Sequence, residues 1–284
     1  MDLAAYLARI GHAGTISPTL DTLRALHRAH ATSIPFENLD IQRGLRIDLE
    51  IGALQRKMVE RGRGGYCFEH NTLAMHALRA VGFDVMACEA RVRAGATRVA
   101  PRTHMVLLVT LANQRWLWDT GFGGDTPLEP LLLGRVAQGR EIGQDGESHQ
   151  GGASYRVIEE GALRVVRMKA AGGEWTDLYA FVADAREPID FEVANWYTST
   201  HPESHFVTTL TAQLRTPDGS RVLRNLTYTV TSGATSEVRE IARKELLPLL
   251  RAQFRLDFPA GTVFRAVDGT GTRSFPASAL PIDV

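Results

Sequence analysis

The chain has 284 residues, of which 44% are hydrophobic and 23% are charged, values typical of a folded globular protein. Its 32 basic and 32 acidic residues cancel, so no overall charge would attract nucleic acid or a membrane surface. No apolar run approaches the about 20 residues of a membrane-spanning helix, and residues 1–6 do not resemble a secretory signal. We therefore expect neither nucleic-acid nor membrane partners.

Two cysteines occur, Cys67 and Cys88, which is too few for a disulfide framework. Neither stands in a Cys-x-x-Cys or Cys/His pattern with zinc-ligand spacing, so we predict no metal site. Thiols stay free in a reducing compartment, and the simplest expectation is therefore a cytoplasmic protein.

Helical patterns fill the first part of the chain. Apolar residues at one-face spacing predict helices that begin after Asp2, Ser17 and Asp48, and a further helix follows Cys67. His27 and His30 lie three residues apart, and no third metal ligand is near, so we interpret them as helix-surface residues. These patterns predict a helical domain over residues 1–83.

The pattern changes to strands after Phe83. Alternation and β-branched residues predict strands over residues 84–92, 104–111 and 115–119, and a hairpin that joins 154–158 to 162–168. We expect residues 84–185 to form an antiparallel β domain, either a barrel or a sandwich.

The last third mixes both types of element. The sequence predicts a helix over residues 188–197, two strands flanking a turn at 216–219, and a final helix that begins at Ser236. The predicted strands are residues 206–215 and 221–230. Residues 186–284 are therefore predicted to form an α/β domain.

The strongest chemical signal lies in residues 63–71. Gly64 and Gly65 stand just ahead of Cys67, and a helix-forming run follows. Unpaired backbone N–H groups at a helix N-terminus stabilise the negative charge of a thiolate. Cys67 is therefore a candidate nucleophile, with a buried and inert cysteine as the ordinary alternative.

A thiolate nucleophile needs a base to accept its proton and a third group to orient that base. His104 begins one predicted strand and Asp119 ends the next, so antiparallel pairing would bring both to the same end of the sheet. A carboxylate after the apolar residues 116–118 is costly unless it is paired, and His104 is its nearest natural partner. Spacing alone leaves two alternatives open, a strand-end histidine on a wet surface and an aspartate that starts a turn.

Several motifs, in the same order, resemble those of the arylamine N-acetyltransferases. Residues 63–71 are similar to the active-site cysteine signature of that family, and the histidine and aspartate motifs follow. The other similar segments are residues 34–40, 90–92, 103–105, 119–123 and 195–202, together with Ser204 and Phe206. The resemblance therefore runs from about residue 34 to residue 206. One departure is Thr120, where the family more often has a small apolar residue.

The resemblance implies an α+β multidomain fold with a cysteine-protease-like core. Its three parts would be an N-terminal helical bundle (1–83), a central antiparallel β-barrel (84–185) and a C-terminal α/β lid (186–284).

The resemblance also implies a catalytic triad of Cys67, His104 and Asp119 and a ping-pong reaction. Acetyl-CoA would donate an acetyl group to Cys67, and the nitrogen of an arylamine or arylhydrazine would then accept it. The oligomeric state would be a monomer or a homodimer.

Two further sets of residues are candidates for ligand contacts. Phe36, Val92, Phe122 and Phe206 match apolar motif positions and are expected to line an aromatic substrate pocket, with plain core packing as the alternative. CoA contacts are expected from Arg93, Arg98 and Arg102 on its phosphates and from the backbone of Gly123 and Gly124. A solvated basic loop is the commoner explanation for such arginines. Glu37 and Arg63, oppositely charged in two matched motifs, are expected to pair.

Three other functions stay open at this stage. The same triad serves amide synthesis from an acyl chain bound to a carrier protein. Papain-like proteolysis fits less well, because the spacing from His104 to Asp119 and the flanking motifs differ. A non-catalytic binding module is disfavoured because all three triad positions are filled.

Overall fold

A computed structural model describes residues 1–137, 140–143 and 146–268. The helices are α1 (Leu3–Ile10), α2 (Leu20–Ser33), α3 (Leu39–Gln42), α4 (Ile51–Leu54, continued by a π-helical turn at Gln55–Glu60), α5 (Cys67–Val81), α6 (Pro188–Thr200), α7 (His205–Thr208), α8 (Leu246–Phe254, preceded by a 3-10 turn at Arg243–Glu245) and α9 (Arg265–Asp268). The strands are β1 (Phe36–Glu37), β2 (Asp84–Val92), β3 (His104–Leu111), β4 (Gln114–Trp118), β5 (Leu131–Ala137), β6 (Arg140–Gly143), β7 (Ser148–Gln150), β8 (Ala153–Glu160), β9 (Leu163–Ala170), β10 (Thr176–Phe181), β11 (Thr211–Thr216), β12 (Gly219–Arg224), β13 (Thr227–Ser232) and β14 (Thr235–Glu240). In these residues no helix is both long and apolar enough to cross a membrane.

The predicted N-terminal helices are present, with local capping that fits their sequence. The Asp2 side chain accepts a hydrogen bond from the Ala5 N–H at 3.0 Å, and Gly11 ends α1 in the left-handed conformation. Helix α2 is capped by Thr19 and not by Ser17, because Thr19 accepts from the Thr22 N–H.

The prediction for His27 and His30 was wrong. Both side chains are fully buried, on the face of α2 that also carries Leu23 and Leu26. An imidazole can lie in a core when its ring nitrogens find partners: both nitrogens of His30 are hydrogen-bonded, and His27 accepts a hydrogen bond at Nε2.

The middle of the chain forms a nine-stranded antiparallel sheet in the order β6-β5-β4-β3-β2-β10-β9-β8-β7. Strands β5 and β8 approach each other, and Leu131, Leu133 and Tyr155 from these strands share one buried cluster. The sheet therefore curls into a nearly closed barrel, the alternative that the family resemblance implied. The helical part packs on the outer surface of this barrel, where Cys67, Phe68 and Leu73 share a buried cluster with outward-facing residues of β2, β3 and β4.

The second sheet has the order β1-β11-β12-β13-β14 and joins distant parts of the chain. Phe36 pairs with Gln213 and Glu37 with Ala212, so a strand from the N-terminal part forms one edge of the C-terminal sheet. The division into three domains at residues 83 and 185 stays a prediction, because this pairing crosses the proposed boundaries.

Three predictions in the last third were wrong. The strand expected over residues 221–230 is two antiparallel strands, β12 and β13, joined by a turn in which Asn225 has φ 52°. The final helix does not begin at Ser236: residues 235–240 form the exposed edge strand β14, and α8 begins at Leu246. A two-residue turn, in which Gly233 has φ 56°, connects β13 to β14 and outweighs the apparent helical spacing. The strand predicted from residue 206 begins only at Thr211, because Ser204 caps the short helix α7.

Candidate active site

Cys67 is the first residue of α5 and is only 3% exposed. The Glu69 side chain accepts a hydrogen bond from the Tyr66 N–H at 3.1 Å, which fixes the start of the helix. The Cys67 Sγ atom lies 3.6 Å from the carbonyl oxygen of Thr103, the residue before β3. The thiol is therefore held between a helix N-terminus and the barrel.

The two glycines before Cys67 allow a close approach of backbone to backbone. A Cβ atom on Gly64 would lie 1.9 Å from the Pro35 carbonyl oxygen. The Gly65 N–H donates to that same oxygen at 3.3 Å, and the Gly65 carbonyl accepts from the Glu37 N–H at 2.7 Å. Any side chain at position 64 would push this segment away from β1.

His104 and Asp119 form a buried pair at one end of the barrel. Strands β3 and β4 are antiparallel, with Leu107 opposite Trp118, so the start of β3 and the residue after β4 meet as the sequence predicted. The His104 Nε2 atom lies 2.8 Å from Asp119 Oδ2. Asp119 Oδ1 accepts further hydrogen bonds from the Gly121 N–H at 2.9 Å and from Asn71 Nδ2 at 3.1 Å.

The electrostatics favour a charged pair. Burial lowers the pKa of His104, but the charge and hydrogen bond of Asp119 outweigh it, and negative charge on the nearby Cys67 sulfur acts in the same direction, so the pKa rises to about 10. Burial raises the pKa of Asp119, but His104, Asn71 and the Gly121 N–H together hold it below its usual range. At neutral pH the imidazole is therefore an imidazolium beside the Cys67 sulfur.

Comparison with known proteins agrees with this geometry. Residues 19–263 match the sequence model of a family described as N-acetyltransferase. An arylamine N-acetyltransferase from Mycolicibacterium smegmatis is 41% identical, over 90% of this chain and 92% of that protein. The chain belongs to the arylamine N-acetyltransferase family.

Other relatives cover similar lengths. A protein named arylamine N-acetyltransferase / N-hydroxyarylamine O-acetyltransferase, from Salmonella typhimurium, is 34% identical over 89% of this chain and 88% of its own length. The structure of the Mycobacterium marinum arylamine N-acetyltransferase in complex with CoA superposes with a TM-score of 0.85, at 34% identity, over 95% of this chain and 100% of that one. The α+β architecture is thus that of the arylamine N-acetyltransferases.

Two residues beside the triad received no role from the sequence. Asn71 donates to the Met105 carbonyl at 2.7 Å and to Asp119, and its own oxygen accepts from the Thr120 N–H at 3.3 Å. His27 Nε2 accepts from the Asp119 N–H at 3.3 Å. Burial lowers the pKa of His27 to about 4, so it is a neutral acceptor. The signal for His27 was its position on the apolar face of α2.

The four residues predicted to line an aromatic pocket lie in two groups. The Phe122 ring is 5.2 Å from the His104 ring and 5.0 Å from that of Tyr179, and Val92 is opposite Tyr179 in the sheet register. The second group contains Phe36 and Phe206, whose rings are 5.9 Å apart. Tyr66, next to the cysteine, contacts Phe206 at 5.4 Å. Both groups adjoin the triad or its flanking residues, and substrate contact by them stays a prediction.

The arginines predicted to contact CoA line a cavity of about 680 Å³ under the loop before His104. Arg93 is bound to Glu160 at 2.8 Å and to Asp177 at 3.0 Å, and Arg102 lies 3.8 Å from Glu89. Arg98 is exposed. The carboxylate partners of Arg93 give it a structural role without a ligand, and CoA contact by the three arginines stays a prediction.

Gly123 and Gly124 pack against the C-terminal sheet. The Gly124 N–H donates to Gln213 Oε1 at 2.6 Å, and a Cβ atom on Gly123, whose φ is 89°, would lie 2.6 Å from the same oxygen. Arg215 donates to the Gly124 carbonyl at 3.1 Å. These contacts tie the loop after Asp119 to β11, and a CoA role for the two glycines stays a prediction.

The expected pairing of Arg63 with Glu37 is confirmed. Arg63 Nη2 lies 2.7 Å from Glu37 Oε1 and 3.0 Å from Asp40 Oδ1. Lys57 continues the network, since its Nζ atom is 2.8 Å from Asp40 and 2.7 Å from Glu69. These charges lie under the N-terminus of α5. Within residues 1–137, 140–143 and 146–268, no group of three or more His, Cys, Asp and Glu side chains is arranged to hold a metal ion.

Proposed function

We propose that this protein transfers an acetyl group from acetyl-CoA to the nitrogen of arylamines or arylhydrazines, through an acetyl-cysteine at Cys67. The observation that carries the proposal is the buried His104–Asp119 pair at 2.8 Å, beside a cysteine that begins a helix and contacts the residue before His104. Membership of the family and the CoA complex of a relative support acetyl-CoA as the donor.

In the first half-reaction the Cys67 thiolate attacks the carbonyl carbon of acetyl-CoA. A sulfur–carbon bond forms, and the tetrahedral oxyanion meets the N–H of Cys67 at the start of α5. The bond to the CoA sulfur then breaks, and CoA leaves with the proton from the His104 imidazolium. Exchange of one thioester for another leaves acetyl-Cys67 and a neutral imidazole.

In the second half-reaction the amine nitrogen attacks the acetyl-Cys67 carbonyl. Neutral His104 accepts a proton from that nitrogen as the nitrogen–carbon bond forms. The bond to the Cys67 sulfur breaks, which restores the thiolate and the imidazolium. Asp119 stays ionised throughout and holds the ring in place through Nε2.

The aromatic groups support an aryl acceptor. Phe122 touches the edge of the His104 ring, and Phe36 and Phe206 lie beside Tyr66, next to the nucleophile. A flat aromatic ring buries apolar area against such side chains, while its amine points to the thioester. We propose that these residues, with Val92, form the acceptor pocket.

Both cysteines are free, which agrees with a reducing cytoplasmic location.

The test is to incubate the protein with acetyl-CoA alone and to measure its intact mass and the released CoA. We expect one added acetyl group on the Cys67 peptide, and its loss when aniline or phenylhydrazine is added. Cys67→Ala should gain no acetyl group, and Cys88→Ala, which alters the other buried cysteine, should gain one. An unmodified wild-type protein, with unchanged acetyl transfer by Cys67→Ala, would refute the proposal.

A further inference from the structure

Three buried side chains form a continuous hydrogen-bonded chain that the triad does not include. The Tyr6 hydroxyl lies 2.9 Å from His30 Nδ1, and His30 Nε2 lies 2.9 Å from His70 Nδ1. His70 Nε2 lies 3.1 Å from the carbonyl oxygen of Pro35. Each of the three side chains is at most 1% exposed, and they come from α1, α2 and α5.

For neutral imidazoles, the direction of every hydrogen bond in this series follows from its last acceptor. A carbonyl oxygen only accepts, so His70 carries its proton on Nε2, and its Nδ1 must accept. His30 therefore donates from Nε2 and accepts at Nδ1 from the Tyr6 hydroxyl. With the Tyr6 hydroxyl as donor, a second proton on either ring would place two donors against each other, so this direction requires both imidazoles to be neutral.

The chain ends on the carbonyl that fixes the backbone before the nucleophile. The Pro35 oxygen accepts from both His70 and the Gly65 N–H, and it is the atom that Gly64 approaches most closely. Gly65 is two residues from Cys67, and His70 is one helical turn beyond it. The histidine therefore joins the start of α5 to the segment that leads into it.

We propose that His70 is a positioning residue for the nucleophile: through Nε2–H it holds the Pro35 carbonyl, and with it the backbone of residues 64–66 that sets the place of Cys67. This inference rests on the proposed function, in which Cys67 attacks the donor. It goes beyond the triad, because His70 touches none of the reacting atoms.

The surroundings of His70 support the neutral form. Burial lowers the pKa of His70 to about 4, although the Pro35 carbonyl and the carboxylates of Glu37 and Asp119 act in the opposite direction. Burial also lowers the pKa of His30 well below its usual value, assisted by the nearby His70, His27 and Arg9. The series of hydrogen bonds from Tyr6 through His30 and His70 to Pro35 is thus intact at neutral pH.

His70 also supports the proposed acceptor pocket. Its ring stacks on Phe36 with centroids 6.2 Å apart and an interplanar angle of 20°, and Phe36 in turn contacts Phe206. Loss of the hydrogen bond to Pro35, the residue before Phe36, would shift both the nucleophile and this ring.

The first test is a spectroscopic one on the wild-type protein. Long-range ¹H–¹⁵N spectra of the imidazoles should show His30 and His70 as neutral tautomers with the proton on Nε2, unchanged between pH 6 and pH 8. A proton on Nδ1 of His70, or titration of His70 in its ordinary range, would overturn the proposal.

The second test compares variants by the rate at which iodoacetamide alkylates Cys67, a reaction that does not depend on acetyl transfer. His70→Gln keeps one donor and one acceptor and should react within about threefold of wild type, whereas His70→Leu should react at least about tenfold more slowly. His76→Gln, on the same helix but outside the chain, should match wild type.

Steady-state kinetics then separate positioning from packing. His70→Leu should lower kcat about tenfold or more and raise KM for the aryl acceptor, and His70→Gln should restore both parameters.

If His70→Leu is folded and reacts like wild type, His70 has only a packing role. If His70→Leu fails to fold, Tyr6→Phe decides. It removes only the first donor, and the proposal requires that it shift the His70 ¹⁵N signals. Failure of wild type to accept acetyl groups, with these alkylation differences intact, would refute only the proposed function.

Discussion

The charge of His104 depends on one buried carboxylate. Asp119 is fully buried, and its two oxygens accept from His104, Asn71 and the Gly121 N–H. Without that negative charge, burial would dominate and the pKa of His104 would fall below its ordinary value. The imidazolium beside Cys67 therefore exists because of Asp119.

Asp119→Asn should leave the fold intact and slow the acetylation of Cys67 by about 10²- to 10⁴-fold, because the imidazole becomes neutral and loses its orienting acceptor. The measurement is single-turnover release of CoA. Asp84→Asn, an exposed aspartate at the start of β2, serves as control. A rate within threefold of wild type for Asp119→Asn would contradict the assigned role.

Gly121 is the glycine that lies against the nucleophile. A Cβ atom there would lie 2.8 Å from Cys67 Cα and 2.9 Å from Asn71 Nδ2, so Gly121→Ala must displace the start of α5 or the loop after Asp119. We expect about a 100-fold loss of kcat/KM for acetyl transfer, since small displacements of reacting groups are costly. Gly52→Ala is the control, because its Cβ would lie 3.5 Å from the nearest atom, at the end of Arg56. Equal activity of the two variants would show that the loop after Asp119 accommodates the added methyl group without displacing the reacting groups.

At this scale the sequence predicted the triad residues and the Arg63–Glu37 pair but not their supports. Cys67, His104 and Asp119 stand in recognisable local motifs, whereas His27, His30 and Asn71 acquire their roles from partners 34 to 92 residues away. A local pattern contains no information about such partners. It therefore could not distinguish a surface histidine from a buried acceptor.

Among the elements, a buried ionic network joins β1, α3, the π-helical turn and α5. Arg63 and Lys57 lie between Glu37, Asp40 and Glu69, with distances of 2.7 to 3.0 Å. Both basic side chains are mostly buried, and the charges of Lys57 and Arg63 outweigh burial and lower the pKa of Asp40 to about 2. The ionic network contacts the first turn of α5 through Glu69. The hydrogen bond from His70 to Pro35 holds the same part of the helix.

Glu37→Gln should lower the free energy of unfolding by about 3 to 5 kcal/mol, because it leaves Arg63 with one carboxylate fewer in a buried site. The rate of acetyl transfer should fall as well, since the Glu37 carboxylate also accepts from the Gly64 N–H. Urea unfolding and Tm measure the first effect. Glu60→Gln, at an exposed position, should leave both values unchanged. An unchanged Tm for Glu37→Gln would count against the pairing.

Most elements followed from periodicity and turn residues, and the exceptions have a common cause. Strands β2 and β3 have the bounds that the sequence predicts, because each is a run of apolar and β-branched residues buried on both faces. Strand β14 is exposed along its whole length, so no burial pattern marks it, and β1 has only two residues. Their place depends on partner strands that the local sequence does not specify.

Across the whole molecule, buried histidines whose pKa values are shifted in opposite directions set the pH range of stability. The folded-state pKa of His104 is raised to about 10, so its contribution is complete below pH 6.5 and is lost as the pH rises toward 10. The pKa values of His27 and His70 are lowered to about 4, so the unfolded state gains protons, and stability is lost as the pH falls from 6.5 to 4. Both contributions to stability are therefore present together only near pH 6.5.

We therefore expect the Tm to be highest near about pH 6.5 to 7 and to fall on both sides. His70→Gln removes one titrating group and should reduce the acid-side slope by up to about 1.4 kcal/mol per pH unit, while leaving the alkaline side unchanged. Chemical unfolding at half-unit pH intervals measures both slopes. Equal acid slopes in wild type and variant would show that His70 is not buried in its neutral form.

The pairing of β1 with β11 determines when, during synthesis, the nucleophile can first be enclosed. Glu37 finds its strand partner only at Ala212, about three quarters of the way along the chain. The N-terminal helices emerge from the ribosome first, but the segment that supports residues 63–66 has no sheet to join until β11 is made. A nascent chain arrested before β11 should therefore leave Cys67 open to thiol reagents, and one arrested after α8 has left the exit tunnel should protect it. The reactive site is thus expected to form late in synthesis, in a single step that requires β11.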